Sequence, residues 1–191
     1  MVMQPTIQMA ETFSKDRLSP MLRDTPVLRD KVNDKSRNSG NTIAKNLSGR
    51  HVTMVGANSP SSLASRPIRI LLADEIDRYP ATAGNEGDPL LLAGKRLATF
   101  WNKKEVCVST PTNKETSRIA VEFEHSTQEE WNVPCPACGA FTPLLWANIV
   151  FDRDKLDEIG CTCPACGVVS SETEWKEQYI NGKFVAAHPE R

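Results

Sequence analysis

Ile68-Arg69-Ile70-Leu71-Leu72-Ala73-Asp74-Glu75 is the most apolar strand-like run of the chain, and it ends in two consecutive carboxylates. In a parallel sheet the carboxyl ends of the strands face the ligand crevice, so a strand terminating in Asp-Glu places acids where a nucleotide would bind. Asp74-Glu75 therefore reads as a Walker B pair. The first acid would orient magnesium on the β and γ phosphates, and the second would polarise the attacking water. A strand followed by acids is also a common way to leave a sheet, and the neighbourhood favours the first reading. Asp77-Arg78-Tyr79-Pro80 comes at once after the pair. The next strand, around Val106 and Val108, ends in Ser109-Thr110-Pro111-Thr112, a hydroxyl-rich string of the kind that senses a γ-phosphate in motor ATPases.

Outward from this run, short apolar strands alternate with helical stretches, the pattern of an α/β sheet with crossover helices. Val2 to Gln4 begins as a strand. Thr6 is a candidate N-cap for a helix that carries Met9 and Phe13 on one face and continues to about Leu18. Pro20 and Pro26 are expected to break the next stretch into short helical turns. Asn33 to Asn41 reads as a polar loop, and Thr42 to Leu47 and His51 to Val55 read as strands joined by a Ser-Gly turn. The stretch GANSPSSLASRP (56–67) reads as a loop. Asp88 is placed to cap a helix over roughly Leu90 to Trp101, and Cys107 faces away from Val106 and Val108 as a buried or half-buried thiol.

Near residue 126 the composition shifts, with prolines, cysteines and tryptophans clustering, which sets a domain boundary between 1–125 and 126–191. The string CPACG occurs at 135–139 and again at 163–167. Each copy is a Cys-x-x-Cys knuckle followed by a glycine able to adopt the left-handed conformation that turns backbone amides towards thiolates. Cys135, Cys138, Cys163 and Cys166 are accordingly expected to hold a structural Zn²⁺ in a small zinc-ribbon-like β module. Four thiolates leave no open coordination position for an activated water, which disfavours a zinc hydrolase. Cys161, two residues before Cys163, competes with it as a ligand.

The chain has 191 residues, 39% hydrophobic and 25% charged, with a net charge of −1. That usage argues against disorder throughout. No stretch approaches the roughly 18 consecutive apolar residues that span a bilayer, and the start lacks a signal-peptide pattern, so a soluble chain without a membrane partner is expected. The small net charge conceals an asymmetry. Through residue 125 there are 18 basic and 14 acidic residues, and beyond it 5 and 10. The stretch Lys15 to Arg50 holds 9 basic against 4 acidic residues, which makes it the expected surface for any phosphate backbone.

Taken in order, MVMQPTIQMAETFSKDRLSPMLRDTP, GANSPSSLASRPIRILLADEIDRYP, VSTPTNKETSRI, VPCPACG and CPACG resemble the lambda-like GpA family of phage terminase large subunits over nearly the whole chain. The resemblance implies a P-loop NTPase core of the ASCE type, a mostly parallel sheet with helices on both faces. It implies an ATPase motor, using ATP and Mg²⁺, that drives double-stranded DNA into a procapsid. Terminase small subunit and portal would be partners, the motor would be oligomeric, and the setting would be the cytoplasm of a bacterial host. Carried onto matching positions, Asp74 is the magnesium-site acid, Glu75 the catalytic carboxylate and Ser109-Thr110 the coupling motif, with Arg66 a weaker phosphate or DNA contact. The phosphate-loop string G-x-x-x-x-G-K-[ST] does not occur in the 191 residues, nor does an acid-rich nuclease segment. Residues 1–125 therefore read as an ATPase core without its phosphate-loop strand, and residues 126–191 as a zinc module leading towards a nuclease domain. On that reading the chain alone should turn over little or no ATP. The alternative is a non-enzymatic zinc-ribbon interaction module.

Overall fold

The computed structural model describes residues 1–32, 44–47, 50–64, 66–113 and 115–191, in two compact units, Met1–Ala120 and Val121–Arg191. The first unit is built on a five-stranded sheet. In chain order its elements are β1 (Val2–Gln4), α1 (Ile7–Phe13), α2 (Ser19–Asp24), α3 (Pro26–Arg29), β2 (Ala44–Leu47), β3 (Arg50–Gly56), α4 (Pro60–Ala64), β4 (Ile70–Asp74), α5 (Pro89–Gly94) and β5 (Lys104–Val108), with α6 (Arg118–His125) beginning at its end. The spatial order is β2-β3-β1-β4-β5. β1, β3, β4 and β5 run parallel, and β2 pairs antiparallel with β3.

Alternation along the strands divides the core in two. Met3, Val55, Leu71 and Ala73 project from one face into a cluster with Leu63 of α4, Ala93 of α5, Ile76, Leu97 and the half-buried Cys107. Val2 and Met54 project from the other face and meet Ala10, Ile7 and Phe13 of the first helix together with Leu18. Helices thus cover both faces, but among the described residues those on the second face lie only above β1 and β3. Ile70, Leu72, Val106 and Val108, on that same face of β4 and β5, remain 36–55% exposed. The continuous apolar run in the sequence consequently takes an alternating burial pattern in the fold.

Several local expectations hold and others are corrected. Thr6 Oγ1 accepts from Met9 N–H, the cap expected of it. The buried stripe of α1, however, runs through Ala10 and leaves Met9 41% exposed. Pro20 does not break the helix. Residues Ser14–Leu18 widen into a π-turn, with Ser19 N–H reaching Ser14 O, so Pro20 falls at the start of α2 where a missing N–H costs nothing. The 56–67 stretch is no mere loop, for Pro60 starts α4. Asp88 Oδ1 caps α5 through Leu90 and Leu91 N–H, but the α-helix ends at Gly94 and tightens into one 3₁₀ turn over Lys95–Leu97, well short of Trp101. The expected loop 33–41 and Ser-Gly turn, with residues 42 and 43, lie outside the described residues.

At the carboxyl end of β3 the chain passes so close to the start of α1 that a Cβ on Gly56 would lie 2.4 Å from Ile7 N and 2.8 Å from Thr6 C. Both are backbone atoms and cannot swing away. Gly56→Ala is expected to lower stability by about 1–3 kcal/mol, read from the urea midpoint at constant slope. A midpoint equal to that of the parent would contradict this packing.

The second unit holds two three-stranded antiparallel sheets. One is β11-β6-β7, from β6 (Glu129–Pro134), β7 (Phe141–Pro143) and β11 (Lys183–Ala186). The other is β10-β9-β8, from β8 (Ile149–Asp152), β9 (Lys155–Thr162) and β10 (Val169–Ser171). A helix that the sequence pattern does not announce, α7 (Glu172–Gln178), starts from a full capping box: Ser171 Oγ accepts from Glu174 N–H while the Glu174 carboxylate accepts from Ser171 N–H. Its Trp175 is buried and donates through Nε1 to Cys161 O at 3.1 Å. Among the described residues the buried cluster here is Val133, Cys135, Cys161, Cys163 and Trp175, a small core for Val121–Arg191 and three-fifths cysteine. Units with so little apolar burial ordinarily need a staple.

Candidate functional site

β4 delivers Asp74 and Glu75 to the carboxyl edge of the sheet, and β5, paired with it through Asp74 and Val108, delivers Ser109 beside them. From the other side β1 contributes Gln4, a buried side chain whose Nε2 donates to Asp74 Oδ2 at 2.9 Å. Asp74 is thereby oriented by its neighbouring strand. Glu75 adopts φ 58°, ψ 45°, the left-handed region, which a side chain other than Gly, Asn or Asp seldom enters. Such strain costs on the order of 1–3 kcal/mol and clusters at functional sites. Arg78 Nε donates to the Glu75 carboxylate at 2.8 Å, holding it at the rim of the turn.

Asp77, in sequence only a neighbour of the acidic pair, is the best-connected group of the site. Its Oδ1 accepts from Ile119 N–H at 2.9 Å, and Oδ2 accepts from Thr112 N–H at 2.9 Å and from Thr112 Oγ1 at 3.2 Å. Its own N–H donates to Ser109 Oγ at 3.1 Å, and Ser109 Oγ in turn donates to Thr110 O. One residue thus ties the turn after β4, the loop after β5 and the start of α6 together. Burial opposes the Asp77 charge, but hydrogen bonds from Ser117, Ile119 and Thr112 outweigh it and hold the carboxyl at about 2. Beside it, Arg118 donates to Asp88 at 2.5 Å and to Pro80 O at 3.1 Å, and Tyr79, its hydroxyl pushed up by burial, donates to Met3 O at 2.9 Å. The structure brings Asp74, Glu75 and Ser109 together at this edge. Thr110 is exposed and contributes its carbonyl to the Ser109 bond.

A carboxyl depressed in the folded state stabilises the fold above its unfolded value, near 3.9, and loses that contribution as pH falls towards 2. The melting-temperature gap between the parent and Asp77→Asn should therefore be full at pH 5–7 and close between about pH 4 and 2. Both proteins share every other titrating group, so the difference isolates Asp77. A gap independent of pH would contradict the hydrogen-bond inventory.

In the second unit, the two CPACG strings fold alike. Gly139 and Gly167 both take φ 74°, Gly139 N–H donates to Cys135 O and Gly167 N–H to Cys163 O at 2.8 Å each, and Cys135 and Cys163 donate their own N–H to Ala140 O and Val168 O at 2.9 Å. The Sγ atoms of Cys135, Cys138, Cys163 and Cys166 lie within 4.8 Å of one another, with Cys135 to Cys166 and Cys138 to Cys163 at 3.9 Å. A tetrahedron with Zn–S bonds of about 2.3 Å needs S–S edges of about 3.8 Å, so the donor set fits that ion. Burial opposes ionisation of Cys163, yet the amides of Cys166 and Ala165 and the adjacent thiols hold it at about 7. Cys161 lies outside the cluster, and burial pushes its thiol up. The geometry favours Cys163 over Cys161.

Both sites sit in a chain with recognisable relatives. The family profile for the phage terminase large subunit gpA, ATPase domain, matches residues 1–184. The chain belongs to this family. It is 27% identical over 143 residues to a terminase large subunit of Enterobacteria phage P21, and 28% identical over 141 residues to the terminase large subunit of Escherichia phage lambda. These matches cover 73% and 71% of this terminase-family chain, and it spans about a fifth of the length of each of these relatives, 22% in both cases. No solved structure matches it. The five-stranded, mostly parallel sheet is the mixed α/β architecture expected for an ATPase domain. No helix among the described residues is long and apolar enough to cross a membrane.

Proposed function

We propose that residues 1–120 supply the acidic half of an ATP site in a phage DNA-packaging motor, and that residues 121–191 form a zinc-stabilised module. The observation that carries the reading is the convergence of Asp74, Glu75 and Ser109 at the carboxyl edge of adjacent parallel strands. Asp74, held by Gln4, orients Mg²⁺. Glu75 polarises the attacking water once its carboxylate turns from Arg78. Ser109 and Thr110, fastened to Asp77, pass the state of the γ-phosphate to α6. The fold is then an ASCE-type core and the cysteine module a variant zinc ribbon. Cys135 and Cys138 after β6 and Cys163 and Cys166 between β9 and β10 would hold the zinc through their thiolates, and the ion would act as a structural cross-link between these two segments. In the intact packaging motor, double-stranded DNA, the small terminase subunit and the portal are the partners, and several subunits act together.

Residues 1–191 contain no phosphate-loop string, the element whose backbone amides and lysine would grip the β and γ phosphates. Purified residues 1–191 should show no magnesium-dependent ATPase above background. A longer polypeptide that adds a phosphate loop upstream should turn over ATP. Hydrolysis by residues 1–191 alone, or none in the longer protein, would contradict this division of labour.

One observation favours an interaction role for the second unit as well. An apolar cavity of about 430 Å³ is lined by Leu145, Trp146, Ile149, Ile159, Trp175 and Tyr179, and Trp146 is 80% exposed. A pure binding module would keep its activity on loss of Asp74 and Glu75, which separates the two readings.

A further inference from the structure

The candidate ATP site occupies the carboxyl edge of the sheet; the amino edge carries a different chemistry. The chain enters β4 through Arg66 and Arg69, enters the 3₁₀ turn after α5 through Lys95 and Arg96, and enters β5 through Lys103 and Lys104. Backbone hydrogen bonds join these three passages: Ile68 N–H to Arg96 O at 3.0 Å and Lys104 N–H to Arg69 O at 2.9 Å. Six cations therefore gather at one edge, where Glu105 is the sole carboxylate in the same stretches. Among the described residues none of the six is in an ion pair, and Arg96 Nε is buried without a hydrogen-bond partner. Between Arg96 and Lys103 stands Trp101, 95% exposed, its indole N–H a further donor.

We propose that this amino edge, centred on Arg66, Arg69, Lys103 and Lys104 with Trp101, is a docking surface for the phosphate backbone of double-stranded DNA. The proposal rests on the packaging reading for the choice of polyanion. Edge strands are commonly guarded by a lysine, which accounts for Lys104 but not for the cations that enter β4 or come after α5. The stretch expected from sequence to bind DNA is less well equipped where it is described. Arg23 is spent on Asp24 through two hydrogen bonds of 2.7 and 2.9 Å, and Arg29 Nε donates to Arg23 O. Phosphate contacts come from Lys and Arg and position a duplex without reading its sequence. Placing them at the edge remote from Asp74 and Glu75 lets nucleotide and DNA bind the same sheet without competing.

The test is fluorescence anisotropy of a labelled mixed-sequence duplex against residues 1–191 without nucleotide. The parent should bind independently of sequence and lose affinity by about a thousandfold between 50 and 200 mM salt, as expected for some six phosphate contacts. Lys103→Gln with Lys104→Gln should weaken binding at least tenfold and make the salt dependence shallower, and adding Arg66→Gln and Arg69→Gln should weaken it further. Thermal melting of each variant at the parent temperature excludes unfolding, and Lys103→Arg with Lys104→Arg should restore binding. Lys15→Gln with Arg17→Gln should cost less than threefold, and because the assay contains no nucleotide, failure of the ATP-site reading leaves this result standing. Unchanged affinity in the Lys103/Lys104 variant would overturn the proposal. So would equal competition by polyglutamate of matched charge, which would make the edge a surface for an acidic protein.

Discussion

Cys163→Ser is expected to release zinc and unfold most of residues 121–191 while leaving the five-stranded sheet in place. Among the described residues the buried core cluster of the second unit holds five residues, three of them cysteines, and two of those three, Cys135 and Cys163, belong to the four-sulfur cluster. Structural zinc contributes roughly 10–16 kcal/mol of apparent binding energy in small domains, and where no site preexists in the unfolded chain that energy is folding energy. Close to one zinc per chain should be found in the parent, and chelation should reproduce the variant. Trp175, buried against Cys161, should shift its fluorescence to the red when the metal is lost. Cys161→Ser should retain zinc. A parent free of zinc after expression with ample supply would remove the staple, and full retention by Cys163→Ser would move the ligand to Cys161.

The second large effect concerns Glu75. In a longer polypeptide that supplies a phosphate loop, Glu75→Gln should keep nucleotide affinity and lose most hydrolysis, a fall of about 10²–10⁴ in kcat for the loss of a general base. The amide preserves shape and the left-handed turn, but it removes the charge that activates water and the partner of Arg78. A variant that hydrolyses ATP as fast as the parent would return the acidic pair to an ordinary strand end.

How much of the fold and site is legible in the sequence depends on where each residue finds its partner. Asp74-Glu75 can be read because strand and acids are contiguous, and the caps at Thr6 and Asp88 because the N–H groups that donate to them lie two or three residues on. The two knuckles are legible because an identical pentapeptide folds identically, down to φ 74° at each glycine. The Ser171-Glu174 box is equally local yet hard to read, as a short helix among cysteine turns gives little periodicity. Asp77 is opaque for a different reason: its partners are 32 to 42 residues away, so nothing beside it in sequence marks it. Gln4, bonded to Asp74 across 70 residues, is the same case. The exposed side of β4 is hidden because an apolar run reads as buried on both faces, whereas here the described helices cover the second face only over β1 and β3. Pro20 misleads because its position relative to a π-turn, not its presence, decides whether it breaks a helix.

The central claim, that Asp74 and Glu75 divide magnesium orientation from water activation, is tested most directly by nucleotide affinity with and without magnesium in the longer polypeptide. Asp74→Asn should lose the part of the affinity that magnesium adds and bind alike in its presence and absence, while Glu75→Gln keeps the full magnesium-dependent gain. Equal magnesium dependence in Asp74→Asn and the parent would contradict the assignment.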